Sequence, residues 1–221
     1  MKPTSRRLSL GSLLLCILVA FCGCSREPGV TMTYKDLLGT LLQTARIADL
    51  EQPGSRLFCS YDRTGGNNDF SNFLGDGPPG WKIIVNAKGP GYASRFWFTG
   101  AKNGKKRIRF YLNGERKPRH ETTQDDWCGP MSRSDMLPLR GYEPFCWYSW
   151  VPLSFSRSLV VMIEEPVPGV GAASGEKLFY QVNVNALPSG TVVEDWTPEM
   201  MKDPAVQALQ AEINLRWRKA Q

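Results

Sequence analysis

The sequence predicts an all-β domain, a jelly-roll or β-sandwich, with one N-terminal helix and one C-terminal helix. Short segments of alternating apolar and polar residues recur from about residue 54 to about residue 190. The 21 glycines and 16 prolines cluster between these segments, as is typical of short strands joined by turns. Helices do not alternate with the strands, so a doubly wound nucleotide-binding sheet is not expected. A hydrophobic content of 42% excludes a chain that is disordered throughout.

Residues 1–23 are typical of a lipoprotein signal peptide, and residues 24–33 of a tether. A basic start precedes an apolar stretch that is too short for a stable membrane-spanning helix. Cys24 follows Gly23, the small residue that signal peptidase II requires before the lipidated cysteine. We therefore expect an exported protein of the cell envelope, anchored by lipid at Cys24 and located in the periplasm or at the outer membrane. An ordinary secretory signal or an uncleaved anchor is the alternative.

The charge pattern argues against nucleic acid as a partner. Lys2, Arg6 and Arg7 of the signal segment supply half of the formal net charge of +6. The remaining basic residues are spread out, and the cluster at residues 102–107 is expected to be a solvated turn. The single histidine, His120, disfavours His-rich zinc sites, and neither a metal nor another cofactor is expected.

The cysteines leave a disulfide open. Export implies an oxidising compartment. Cys128 and Cys146 flank a loop that contains proline and glycine and are candidates for a bridge, which would leave Cys59 as a buried free thiol. A nucleophilic Cys59 would need His120 as its base, and we do not favour that pairing. No cysteine spacing resembles a metal site.

Periodicity locates the elements from the N-terminal side to the C-terminal side. Thr33 is a candidate N-cap for a helix whose apolar residues recur at helical spacing from Tyr34 to Ala45, and residues 51–54 are expected to end it. Residues 107–112 alternate in the manner of a half-buried strand. The strongest strand predictions cover residues 81–87, 92–99, 107–112, 158–164 and 177–185.

Turns and a final helix complete the predicted domain of residues 34–190 and its helical tail, residues 191–221. Asn113-Gly114 predicts a tight turn. Residues 102–105 predict a hairpin turn between strands 92–99 and 107–112. Asp203-Pro204 predicts the start of the C-terminal helix, whose apolar face carries residues 206, 209, 213 and 217.

Residues 60–70, which read SYDRTGGNNDF, are the strongest candidate for a functional site. Two glycines let the backbone turn tightly, so that acids, amides and an arginine can converge. Carboxylates and amides suit the donors and acceptors of sugar hydroxyls. Tryptophans could cover the apolar sugar faces, and five are available at positions 81, 97, 127, 147 and 150. The candidate substrate-binding residues are Asp62, Arg63, Asn67, Asn68, Asp69 and Trp97.

The alternative is a polar turn whose side chains satisfy one another, with Asp62 and Arg63 in structural ion pairs. A phosphate loop is not expected, because no Gly-Lys-Ser or Gly-Lys-Thr follows the glycines. Retaining hydrolysis of a glycoside needs two carboxyl groups about 5–5.5 Å apart. The candidates for such a pair are Asp62, Asp69, Glu115, Glu121, Glu164 and Glu165. Glu164 and Glu165 are neighbours on a strand and point to opposite faces, so they cannot form the pair directly.

The polar segment and four later segments together resemble domain of unknown function family 2961, also classed as glycoside hydrolase family 172. The matching segments, spread over residues 33–190, are 60–70, 89–99, 108–115, 152–158 and 179–183. The resemblance implies a jelly-roll subunit that acts on furanosides containing fructose or arabinose. It also implies assembly into trimers or larger forms, and a sugar-binding role for residues 62–69.

The family's two catalytic glutamates lie in a second jelly roll, and the resemblance covers only the first. Residues 191–196 do not match the family's catalytic stretches. No residue of this chain therefore receives a catalytic role from the resemblance. Two functions follow as alternatives: a furanoside hydrolase of this group, or a non-catalytic module that binds carbohydrate or forms oligomers. A jelly roll whose polar segment serves only the fold is a third.

Overall fold

The computed structural model describes residues 31–43, 54–100, 104–130, 138–143, 145–166 and 176–219. The predicted signal peptide, Cys24 and most of the predicted tether lie outside this part of the chain. Two mainly antiparallel sheets pack face to face in it, which confirms the predicted sandwich. Among the described residues, no helix is both long and apolar enough to cross a bilayer.

The larger sheet has six strands. They are β2 (Ser55–Cys59), β5 (Gly91–Thr99), β8 (Arg140–Glu143), β9 (Cys146–Ser149), β10 (Leu153–Phe155) and β12 (Phe179–Ala186). Their spatial order is β2-β12-β5-β9-β8, and β10 pairs with one end of β5. Ser94 is the extra residue of a β-bulge, because Asn183 pairs with Arg95 while Val184 pairs with Ala93.

The smaller sheet has five strands. They are β3 (Gly75–Asp76), β4 (Trp81–Lys88), β6 (Arg107–Leu112), β7 (His120–Thr123) and β11 (Ser158–Glu164). Their spatial order is β3-β4-β11-β6-β7. The predicted Asn113-Gly114 turn is confirmed, since both residues have positive φ and Glu115 N–H donates to the Leu112 carbonyl at 2.9 Å.

The predicted hairpin between residues 92–99 and 107–112 is wrong. β5 belongs to the larger sheet and β6 to the smaller one, so the chain crosses between the layers. The inward side chains of the two strands meet across the core, where the rings of Phe96 and Phe110 lie 5.8 Å apart. Alternation marks the buried face of each strand, and it fits cross-layer packing as well as side-by-side pairing.

Three α-helices of the described chain pack against the sandwich and contribute buried residues to its core. α1 (Tyr34–Gly39) begins with a capping box formed by Thr33 and Asp36, and a 3-10 helix (Thr40–Leu42) follows it. α2 (Gln124–Cys128), which the periodicity did not predict, lies between β7 and β8. α3 (Pro204–Lys219) begins at the predicted proline, after a 3-10 helix (Pro198–Lys202), and buries Val206 and Ile213.

A short parallel ladder fixes the N-terminal end of the described chain. β1 (Thr31–Met32) pairs with β13 (Val192–Val193). The segment after β13 is bonded to β10, because Ser154 Oγ donates to the Glu194 carbonyl at 2.6 Å and Trp196 N–H donates to the Ser154 carbonyl at 3.0 Å. Since β10 pairs with the start of β5, this ladder lies toward that end of the larger sheet.

Candidate functional site

The polar loop, residues 60–72, leaves the end of β2 and is attached to the neighbouring strand β12. Ser60 N–H donates to the Tyr180 carbonyl at 3.1 Å, and Tyr180 N–H donates back to Ser60 Oγ at 3.1 Å. The phenol of Tyr180 donates to the Asn72 carbonyl at 2.7 Å. Burial raises the pKa of Tyr180 to about 12, so this donor keeps its proton at neutral pH. Both ends of the loop are therefore attached to a core residue.

Asp62 organises the interior of the polar loop. Its carboxylate accepts hydrogen bonds from Thr64 Oγ1 at 2.6 Å, Thr64 N–H at 2.9 Å and Asn68 N–H at 3.4 Å. The bonds from Thr64 lower the pKa of Asp62. The Asp62 N–H donates to Asp69 Oδ1 at 2.7 Å, so the two acids of the loop are joined. Sequence analysis predicted this convergence, and the geometry shows that Asp62 is used largely to shape the loop.

The two glycines are required by this arrangement. Gly65 has φ +81°, a conformation that side chains disfavour. A Cβ on Gly66 would lie 2.5 Å from Asp62 Oδ2, well inside van der Waals contact. The carboxylate therefore occupies the space that a side chain at position 66 would need.

Arg63 is not paired with Asp62 as the alternative interpretation supposed. Arg63 Nη2 donates to the Cys59 carbonyl at 3.3 Å, and its guanidinium lies 4.9 Å from the centre of the Tyr61 ring. Arg63, Asn67 and Asn68 are exposed on the loop. Their polar groups are accessible to a ligand from solvent.

Trp97 lies on the same side of the larger sheet as the loop. A single cross-strand row contains Cys59, Gln181, Trp97 and Tyr148. Trp97 is two strands away from the base of the loop, or about 10 Å. On the next row Phe179 makes an edge contact with Phe70 of the loop at 6.0 Å. The loop thus borders the outer face of the larger sheet.

Arg95 is a prominent polar residue of this outer face that sequence analysis missed. Its Nη1 donates to Gln181 Oε1 at 2.9 Å and to Asn183 Oδ1 at 3.5 Å. Its guanidinium lies 5.5 Å from the centre of the Trp150 ring. The alternation of β5 was visible in the sequence, but the β-bulge at Ser94 and the neighbouring strands that supply the amides were not.

The five candidate tryptophans separate into two groups. Trp97 and Trp150 reach the outer face, and Trp150 is 37% exposed. Trp127 and Trp147 are buried in the core instead, and Trp81 is covered by Arg109, whose guanidinium lies 3.7 Å from the centre of its ring. The predicted aromatic wall is therefore smaller than the sequence suggested.

The remaining candidate carboxylates are held by basic side chains. Glu115 pairs with Arg119, Glu121 with Arg109 and Arg107, Glu164 with Arg107, and Glu165 with Lys82. Arginine hydrogen bonds lower the pKa of Glu121 and Glu164. A general acid for glycoside cleavage needs a raised pKa. The lowered pKa values of Glu121 and Glu164 are opposite to what such an acid needs.

The candidate disulfide is absent, and both of its cysteines are free thiols. The thiol of Cys128 is buried in the core, which raises its pKa, whereas Cys146 lies on the outer face beside Tyr148. Cys59 is free but half-buried rather than buried. In the described ranges, no three His, Cys, Asp or Glu side chains come together as a metal site.

A cavity of about 420 Å³ lies along α3 and is lined partly by Gln207, Gln210 and Leu215. None of its lining residues belongs to the polar loop, so it does not mark the predicted site. No curated protein matches the chain. The family model described as the GH172 first beta-sandwich domain matches residues 52–204, which include the polar loop and the outer face. The chain therefore belongs to glycoside hydrolase family 172 and contains that family's first β-sandwich domain.

Proposed function

We propose that this chain binds furanoside carbohydrate through the polar loop and Trp97, as a lipoprotein anchored to the cell envelope at Cys24. Membership in a glycoside hydrolase family indicates a carbohydrate-related function. The observation that carries the proposal is the preformed loop. The Asp62 bonds fix its backbone before any ligand arrives, while Arg63, Asn67 and Asn68 remain exposed.

Preorganisation favours recognition of a small polar ligand. A loop that is already ordered loses little conformational entropy when it binds. Exposed amides and a guanidinium can donate to several sugar hydroxyls, and the amides can also accept. Trp97, about 10 Å from the loop base, offers an apolar surface for the ring of another sugar unit of the same glycan.

Binding by the described residues is better supported than cleavage by them. The four candidate glutamates outside the loop are in ion pairs, and the loop acids are bonded to loop backbone. A hydrolase of this family would then draw its acid and nucleophile from other residues. The alternative is a module that binds carbohydrate or assembles into a homo-oligomer, a trimer by resemblance, without cleaving it.

A paired titration tests the proposal. Calorimetric binding of arabinofuranosyl and fructofuranosyl oligosaccharides is measured for the wild-type protein, Asn67→Ala and Asn86→Ala. Asn86 is also an exposed amide, on β4 of the other sheet, and serves as the control. We expect Asn67→Ala alone to weaken binding. Equal affinities for all three proteins, or no binding by the wild type, would contradict the proposal.

Two further measurements address cleavage and the anchor. Release of free sugar from an aryl arabinofuranoside or fructofuranoside would support the hydrolase over the binding module. Radiolabelled palmitate should enter the wild-type protein in cells, and Cys24→Ser should abolish the label. Label retained in Cys24→Ser would place the lipid elsewhere.

A further inference from the structure

We propose that Arg95 forms a binding site for a carboxylate-bearing saccharide on the outer face of the larger sheet. The proposal rests on the carbohydrate-binding function above but centres on a different residue, Arg95, and shares only Trp97 with the furanoside site. It names an acidic sugar, such as a uronic acid, as the ligand beside Arg95.

The first support is a cation without an anionic partner. The contacts of Arg95 in the described part of the chain are with neutral groups: the side-chain oxygens of Gln181 and Asn183 and the ring of Trp150. Among the described residues, no carboxylate forms an ion pair with Arg95. Burial lowers the pKa of Arg95, yet a guanidinium stays charged in proteins. A half-buried charge with only neutral partners gains more from an incoming carboxylate than a solvated one does.

The Arg95 guanidinium is also held in a fixed orientation. Gln181 Oε1 and Asn183 Oδ1 both accept from Nη1, so one edge of the guanidinium is held by β12. Because both bonds are donated by Nη1, Nη2 and Nε can together bind a carboxylate through two parallel hydrogen bonds.

The third support distinguishes a saccharide from an acidic peptide. Trp150 and Trp97 flank Arg95 on the outer face and provide flat apolar surfaces, which suit the faces of sugar rings. The side-chain amides of Gln181 and Asn183 lie on the same face as these tryptophans and can form hydrogen bonds with sugar hydroxyls. The polar loop borders the same face, so one glycan chain can reach both sites.

The test compares two ligands that differ only at the carboxyl group: an oligogalacturonate, in which it is charged, and its methyl ester, in which it is neutral. Each is titrated against the wild type, Arg95→Gln, Arg95→Lys and Arg116→Gln. Arg116 is exposed on the turn after β6 and controls for loss of one positive charge. We expect the wild type and Arg116→Gln to bind the free acid about tenfold more tightly than the ester. Arg95→Gln should remove this preference, and Arg95→Lys should retain part of it.

Further variants separate the alternatives. Trp150→Ala should weaken binding of the acid and the ester by the same factor. Equal wild-type affinities for the two ligands, or a preference that survives in Arg95→Gln, would overturn the proposal. Competition by poly-L-glutamate as strong as by oligogalacturonate would also overturn it, in favour of an acidic peptide. The furanoside titration of Asn67→Ala is independent, so an acid preference without furanoside binding would contradict only the loop proposal.

Discussion

Gly66→Ala tests whether the internal geometry of the polar loop governs carbohydrate binding. The new Cβ would lie 2.5 Å from Asp62 Oδ2. To reach an ordinary contact of 3.4 Å, the carboxylate must retreat by nearly 1 Å. Such a shift stretches its 2.6 Å and 2.9 Å bonds from Thr64 beyond good hydrogen-bonding distance. The loop backbone then loses the anchor that orders its exposed amides.

We expect furanoside affinity to fall by about tenfold or more, because misplacement by 1 Å can cost as much as 10²-fold where geometry is critical. The thermal midpoint should hardly change, since the loop is exposed and contributes little to the core. Calorimetric titration and thermal denaturation measure the two effects separately. Gly75→Ala is the control, because its Cβ would meet no atom within 4 Å.

A double-mutant cycle identifies the cause. Asp62→Ala removes the atoms that Gly66→Ala would strike, so the double variant should bind no worse than Asp62→Ala alone. Wild-type affinity in Gly66→Ala would refute the link between loop geometry and binding. Additive losses in the double variant would show that Gly66 acts through something other than Asp62.

Three other outcomes follow from the structure. Glu176→Leu should cost about 3 kcal/mol and lower the thermal midpoint by roughly 6–12 °C, because it removes the carboxylate that pairs at 2.6 Å with the Lys106 ammonium, which is only 7% exposed. Adding Lys106→Met should restore most of the loss, and an equal loss in the double variant would contradict this explanation. The pKa of Asp62 is lowered below 3.8, so its contribution to the loop is present above that value and is lost only as the pH falls through the lowered pKa. Furanoside affinity should therefore stay constant from about pH 7 to about pH 5, and a decline in that range would contradict this role of Asp62. Iodoacetamide should label Cys146 in the folded protein before the buried Cys128, as mass spectrometry can show; protection of both from alkylation, reversed by reductant, would indicate a disulfide instead.

The alternation of apolar and polar residues predicted where strands lie in the sequence better than it predicted which strands pair with one another. Residues 107–112 and 158–164 form strands with the predicted bounds, because alternation directly reports a half-buried strand. The partnership of β5 and β6 was mispredicted, since sheet membership depends on contacts between residues far apart in sequence.

The same limit applied to the site. The polar loop could be predicted because its acids, amides and glycines lie within one short segment. Arg95 could not, because the two amides that orient it come from β12, far away in sequence. The burial of Trp127 and Trp147 likewise depends on packing between the sheets.

The β1–β13 ladder gives the domain a direction. The ladder lies toward the end of β5 where Tyr92 pairs with Ser154. Thr99, whose partner Phe179 contacts the polar loop, lies about 23 Å farther along that strand. If Cys24 carries a lipid, the chain would lead from the lipid into the sandwich at Thr31, at the ladder's end of the larger sheet. The proposed carbohydrate site would then project away from the bilayer, toward polymers in the surrounding medium rather than toward lipid headgroups.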